Sequence, residues 1–146
     1  MKKSMMLGVV MVLFGWQMAW ASNDKPIRPE QLPAKAKAMI ERYFPGEKIA
    51  FAKQESELFE TRYEVVLEGS AKIEFLGNGE WEEIDCRYKA VPEALIPPQL
   101  MAEVKARYPE AQVREIKREN GRHEVKLNNG LELLFNRKHQ LVDIDD

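Results

Sequence analysis

Tyr63-Glu64-Val65-Val66-Leu67 and His123-Glu124-Val125-Lys126-Leu127 stand 60 residues apart and share one pattern. Val65 and Leu67 alternate with Glu64 and Glu68, and Val125 and Leu127 alternate with Glu124 and Lys126. A period of two sends successive side chains to opposite faces of an extended chain, so each stretch predicts a strand with one buried face. The same spacing carries Ile73 onto Leu133, Phe75 onto Phe135, Trp81 onto Leu141 and Ile84-Asp85 onto Ile144-Asp145. Upstream, Leu32-Pro33 through Tyr43-Phe44-Pro45-Gly46 aligns with Ile96-Pro97 through Arg107-Tyr108-Pro109-Glu110 at a spacing of 64. The spacing changes once, between Lys53 and Tyr63, where the first copy has a loop four residues longer. A length change in a polar loop leaves packed elements untouched. The chain therefore reads as one unit written twice, at residues 32–86 and 96–146, joined by a linker at residues 87–95.

Each copy opens with a predicted helix. Pro33 and Pro97 suit a first turn, where a missing N–H costs nothing. Leu32, Ala36, Ile40 and Phe44 form an apolar stripe, mirrored by Ile96, Leu100, Val104 and Tyr108, and Pro45 and Pro109 end both helices. Four strands follow in each copy: about Lys48–Lys53, the Val65 row, the Ile73–Phe75 row and Glu80–Cys86, with their counterparts after Gln112. Gly69-Ser70, Gly77-Asn78-Gly79 and Asn128-Asn129-Gly130 are tight-turn chemistry between them. Short links make consecutive strands neighbours. The expected fold is α+β: two tandem α-β-β-β-β units forming an antiparallel sheet with both helices on one face.

Ahead of this lies a different kind of segment. Lys2-Lys3, the apolar run Met5 to Trp16 and Ala19-Trp20-Ala21 have the order of a secretory signal peptide cleaved after residue 21. The run is short for a spanning helix, so no membrane span is expected after cleavage. Residues 22–31 form an N-terminal segment, and the exported chain is expected in the periplasm or beyond. Without residues 1–21 the chain holds 20 basic and 24 acidic residues, and no basic block offers nucleic acid an electrostatic footprint. One Cys, Cys86, excludes an internal disulfide, and burial is its expected state. Two His, at 123 and 139, are too few for a Cys/His zinc cluster. No Gly-x-Ser-x-Gly elbow, phosphate loop or regular calcium loop is present. Catalytic residues, metal ligands and cofactors are therefore expected to be absent.

Two features point to binding. On the fourth strand Glu83 and Asp85 alternate with Ile84, and strict alternation puts Trp81 in their row; Asp143 and Asp145 repeat the acids in the second copy. If Ile84 and Ile144 face the helices, this acidic row lies on the open sheet face, suited to a cation or a basic protein segment. The longer loop, residues 54–61, carries Leu58 and Phe59 among Glu55, Glu57 and Glu60, an apolar pair able to enter a partner groove.

The helix followed by Tyr-Phe-Pro-Gly, Tyr-Glu-Val-x-Leu and Ile-Glu-Phe-Leu-Gly-Asn-Gly-Glu-Trp-Glu-Glu-Ile-Asp resembles the PepSY-like, beta-lactamase-inhibitor-like proteins. The resemblance spans about Leu32 to Asp145, and the second copy departs from it with His139 for Gly79 and Leu141 for Trp81. It implies a tandem helix-plus-four-strand fold and a binding role. Fold likeness does not carry inhibition of a beta-lactamase with it. The expected function is recognition of a periplasmic or envelope protein through the open face and the 54–61 loop. The alternative is a small-molecule or lipid carrier that binds between helices and sheet.

Overall fold

A computed structural model describes residues 23–146. The signal peptide expected over residues 1–21 lies outside the described residues. A short edge strand, β1 (Asp24–Pro26), and a 3-10 turn (Pro29–Gln31) precede helix α1 (Ala34–Tyr43). Strands β2 (Ile49–Glu57), β3 (Glu60–Leu67), β4 (Lys72–Leu76) and β5 (Trp81–Asp85) follow. A second 3-10 turn (Glu93–Leu95) leads into α2 (Pro98–Arg107), then β6 (Val113–Glu119), β7 (Arg122–Leu127), β8 (Glu132–Phe135) and β9 (Leu141–Asp145). These nine strands form one antiparallel sheet in sequence order, and every connection is a short link between neighbours except β1–β2, which passes through α1, and β5–β6, which passes through α2.

The two halves join edge to edge. β5 pairs with β6 through Glu83–Lys117, Ile84–Ile116 and Asp85–Glu115, which extends the first meander into the second. Joining this way removes two free edges and merges two small cores into one. Register then places one apolar row across the sheet: Ala52, Val65, Ile73, Ile84, Ile116, Val125, Leu133 and Ile144. All but the terminal Ile144 are buried. Leu32, Ala36, Ile40 and Phe44 of the first helical segment and Ile96, Leu100 and Val104 of the second are buried in the same core. Both helices thus cover one face, as the apolar stripes require.

One sequence expectation changes here, and the structure adds one strand. The stretch at residues 54–61 is a hairpin rather than a loop, because β2 and β3 stay paired out to Glu57–Glu60. The additional residues lengthen the ladder and leave only Leu58 and Phe59 as the turn. The N-terminal segment supplies β1, which pairs with the far end of β2 from Asp24–Glu55 to Pro26–Lys53.

Candidate functional site

The face opposite the helices is charged from edge to edge. One row across it runs Lys53, Glu64, Glu74, Glu83, Lys117, Glu124, Leu134 and Asp143. The next runs Lys72, Asp85, Glu115, Lys126, Glu132 and Asp145. Period-two alternation against the buried row produces this arrangement, since every residue flanking a core position must point outward. The two rows hold nine carboxylates and four ammonium groups.

The acids are crowded more than paired. Lys53 bonds Asp24 at 3.0 Å and Glu55 at 3.1 Å, Lys72 lies 3.4 Å from Glu64, and Lys126 lies 3.1 Å from Glu132. Glu74 and Glu83 face each other on β4 and β5. Burial first, then the Glu83 carboxyl, holds Glu74 above the usual carboxylate range. Burial and then Glu115 do the same to Glu83, and burial and then Glu132 to Glu124. Carboxylate oxygens of Glu55, Glu64 and Glu74 lie within 4.8 Å of one another. Oxygens bound to one calcium ion at about 2.4 Å can be no further apart than about that. The trio joins β2, β3 and β4, and the spacing of its members along the chain carries no metal-binding signature.

Of the residues expected to bind, Glu83 and Asp85 stand on the open face as expected, whereas Trp81 does not. Register between β4 and β5 slips from Glu74–Glu83 to Phe75–Trp81, so Glu82 is an extra residue on β5. A β-bulge of this kind sends the next residue to the other face. Trp81 therefore joins Ile84 and Phe75 on the helix side and is only 7% exposed. Glu82 turns into an ion pair with Arg62 instead. The sequence holds a signal for this. Trp81 stands three residues before Ile84, and Leu141 three before Ile144, a spacing that breaks period two in both halves. β9 has the same slip at Leu134/Phe135, which turns Leu141 inward.

Asp143 and Asp145 are exposed on the edge strand, but their carboxylates are engaged. Asp143 Oδ1 accepts from the Ile144 N–H at 3.0 Å and Asp145 Oδ1 from the Asp146 N–H at 2.9 Å. Charged side chains that occupy backbone donors of an open edge discourage pairing with another chain. Leu58 and Phe59 are 93% and 98% exposed at the hairpin tip, far along the sheet from Asp143. The candidate binding residues thus divide among a sheet face, a hairpin tip, an edge and the interior.

The remaining reactive groups have other surroundings. Cys86 is buried, and burial, then Asp85 and Glu47, pushes its thiol up to about 11. A thiol so protonated is a poor nucleophile. His123 and His139 meet edge to face with centroids 5.2 Å apart. Burial, then His139 and Arg118, pulls the pKa of His123 down, which favours a neutral ring.

A nine-stranded sheet with helices on one side and an uncovered acidic face on the other defines a class of α+β protein with a large open sheet surface. The chain belongs to the family described as "Putative beta-lactamase-inhibitor-like, PepSY-like", whose profile matches residues 61–143 in a single stretch across both halves. A periplasmic protein from Bacteroides vulgatus is similar, at 40% identity over 86% of this chain and 99% of that one, with a TM-score of 0.83. A Bacteroides thetaiotaomicron structure described as a "putative calcium-regulated periplasmic protein" matches at 42% identity, with the same coverage and TM-score. A second B. vulgatus periplasmic protein of unknown function matches at 36% identity, over 84% of this chain and 99% of that one, with a TM-score of 0.80. No curated protein matches the chain. No helix among the described residues is long and apolar enough to cross a membrane.

Proposed function

We propose that the chain is an exported, non-enzymatic binding protein that engages a basic protein segment through its open sheet face, with Leu58 and Phe59 entering an apolar groove of the same partner. One observation carries the reading. Along two rows of a surface that neither helix covers, nine carboxylates face four ammonium groups, and Glu74, Glu83 and Glu124 are held above their ordinary pKa first by burial and then by the neighbouring carboxyls of Glu83, Glu115 and Glu132 respectively. Such a face stores unfavourable electrostatics that a cationic partner relieves, and the excess charge steers its approach. Export rests on the order of residues 1–21 and on the periplasmic relatives. We also read the two helix-plus-four-strand segments as copies of one unit.

The test is retention of proteins from periplasmic extract on the immobilised chain, compared with a Glu74→Gln/Glu83→Gln/Glu115→Gln variant and a Leu58→Ser/Phe59→Ser variant. The expected result is a basic protein retained by the parent, released by rising salt and lost from both variants. Equal retention by parent and variants, or no salt-sensitive partner, refutes it. Trp81→Ala is the wrong probe, since that ring is buried on the other side.

A second reading is favoured by the Glu55, Glu64 and Glu74 trio together with the calcium-regulated description of one relative. Hard divalent cations take carboxylate oxygens, and these three residues would hold calcium on the open face after Lys53 moves off Glu55. Calorimetric titration with calcium chloride checks it: heat of binding that disappears in Glu74→Gln supports calcium control of the face, and no heat removes it.

A further inference from the structure

On the helix side, a recess of about 250 Å³ opens where the two halves meet. Met39 and Tyr43 of α1, Leu95 of the second 3-10 turn and Trp81 supply its apolar part, and Arg118 of β6 stands beside them with Lys35 and Glu80 on the polar part. Arg118 Nε–H donates to the Trp81 carbonyl at 2.8 Å, and its guanidinium carbon lies 3.8 Å from the Trp81 ring centroid. Those contacts fix the guanidinium plane. They use one of its five N–H groups, and no carboxylate among the described residues lies within ion-pair distance of it. Lys35 and Glu80, also at the recess, neutralise each other at 2.8 Å. The recess therefore presents one uncompensated positive charge. Burial acts against that charge and pulls the pKa of Arg118 down.

We infer that this recess binds a small organic monocarboxylate, with Arg118 receiving the carboxylate and Met39, Tyr43 and Leu95 receiving the apolar body. The guanidinium fork matches a carboxylate with two parallel N–H donors, and partial burial strengthens that contact relative to one in water. A cavity of about 150 Å³ accommodates benzene, so the volume admits an aryl or short alkyl group beside the carboxylate. The site goes beyond the open-face reading and lies on the opposite side of the sheet, so either can fail alone.

The test is ¹H–¹⁵N NMR of the full chain titrated with phenylacetate, with phenylacetamide as its uncharged twin, following the Trp81 indole N–H and the Arg118 Nε–H. The expected result is a saturable shift of both signals, with the amide binding at least about tenfold more weakly. Arg118→Gln should weaken phenylacetate by a similar factor. Ala94→Trp, a substitution at an exposed position of the recess wall, should block binding while leaving the rest of the spectrum in place. No saturable shift with phenylacetate, equal binding of the amide, or unchanged binding by Ala94→Trp overturns the inference.

Discussion

Gly79 and Gly130 offer a controlled measurement of how tightly the β4–β5 turn is set against α1. Both have positive φ, +88° and +91°. An alanine at either position must adopt a left-handed backbone, at about 1–2 kcal/mol. Their surroundings differ. A Cβ at Gly130 meets nothing within 4 Å, whereas at Gly79 it comes within 2.9 Å of Lys35 Cβ, 3.0 Å of Pro33 Cβ and 3.2 Å of the Ala36 nitrogen. These atoms lie on or next to the helix backbone and cannot swing aside, so the turn must back away from α1. Overpacking of this kind costs about 1–3 kcal/mol more. Gly130→Ala should therefore lose about 1–2 kcal/mol and Gly79→Ala about 2–5. With a urea slope of about 2 kcal/mol/M, the unfolding midpoint of Gly79→Ala should fall about 0.5–1.5 M below that of Gly130→Ala. Equal midpoints would refute the close approach of turn and helix, and with it the shape of the recess beside Trp81.

Two further outcomes follow from the charges and the thiol. Glu74 has a raised folded-state pKa, so its ionised form destabilises the fold above that pKa, and the penalty is gone below the ordinary glutamate value. Glu74→Gln should accordingly raise the urea midpoint at pH 7, with the gain fading as pH falls to about 4; a gain independent of pH would show that crowding of the acids is not its cause. Cys86, buried and with its thiol pushed up to about 11, should be unreactive toward a disulfide reagent in the folded chain at pH 8 and react fully in denaturant. Fast reaction without denaturant would place the thiol at the surface.

How much of the molecule could be read from the chain follows from which interactions are local. Alternation in Tyr63–Leu67 and His123–Leu127, the four-residue stripes of Leu32 to Phe44 and Ile96 to Tyr108, and the flanking prolines are short-range patterns with a single low-energy conformation each. They determined the α+β class, the element order, the inward rows and the charged outer face. A Bacteroides vulgatus protein of known structure, 40% identical, shares that fold. The positions of Glu83 and Asp85 were legible for the same reason.

Tertiary structure alone decided the rest. Whether two meanders share one sheet depends on β5 meeting β6, a pairing set by apolar area buried between residues distant in the chain and by no local motif. The bulge at Glu82 moved Trp81 from the open face to the interior, because an indole is more stable buried beneath α1 and Arg118 than beside carboxylates in water. Residues 54–61 became a hairpin because strand pairing continues wherever both edges offer backbone partners. The Glu55, Glu64 and Glu74 trio and the Arg118 recess exist only where separate strands and a helix converge. Local alternation was enough to orient the residues along each element wherever no bulge interrupts it. Which of those faces meet, and hence where a ligand or partner finds a surface, was settled by long-range packing.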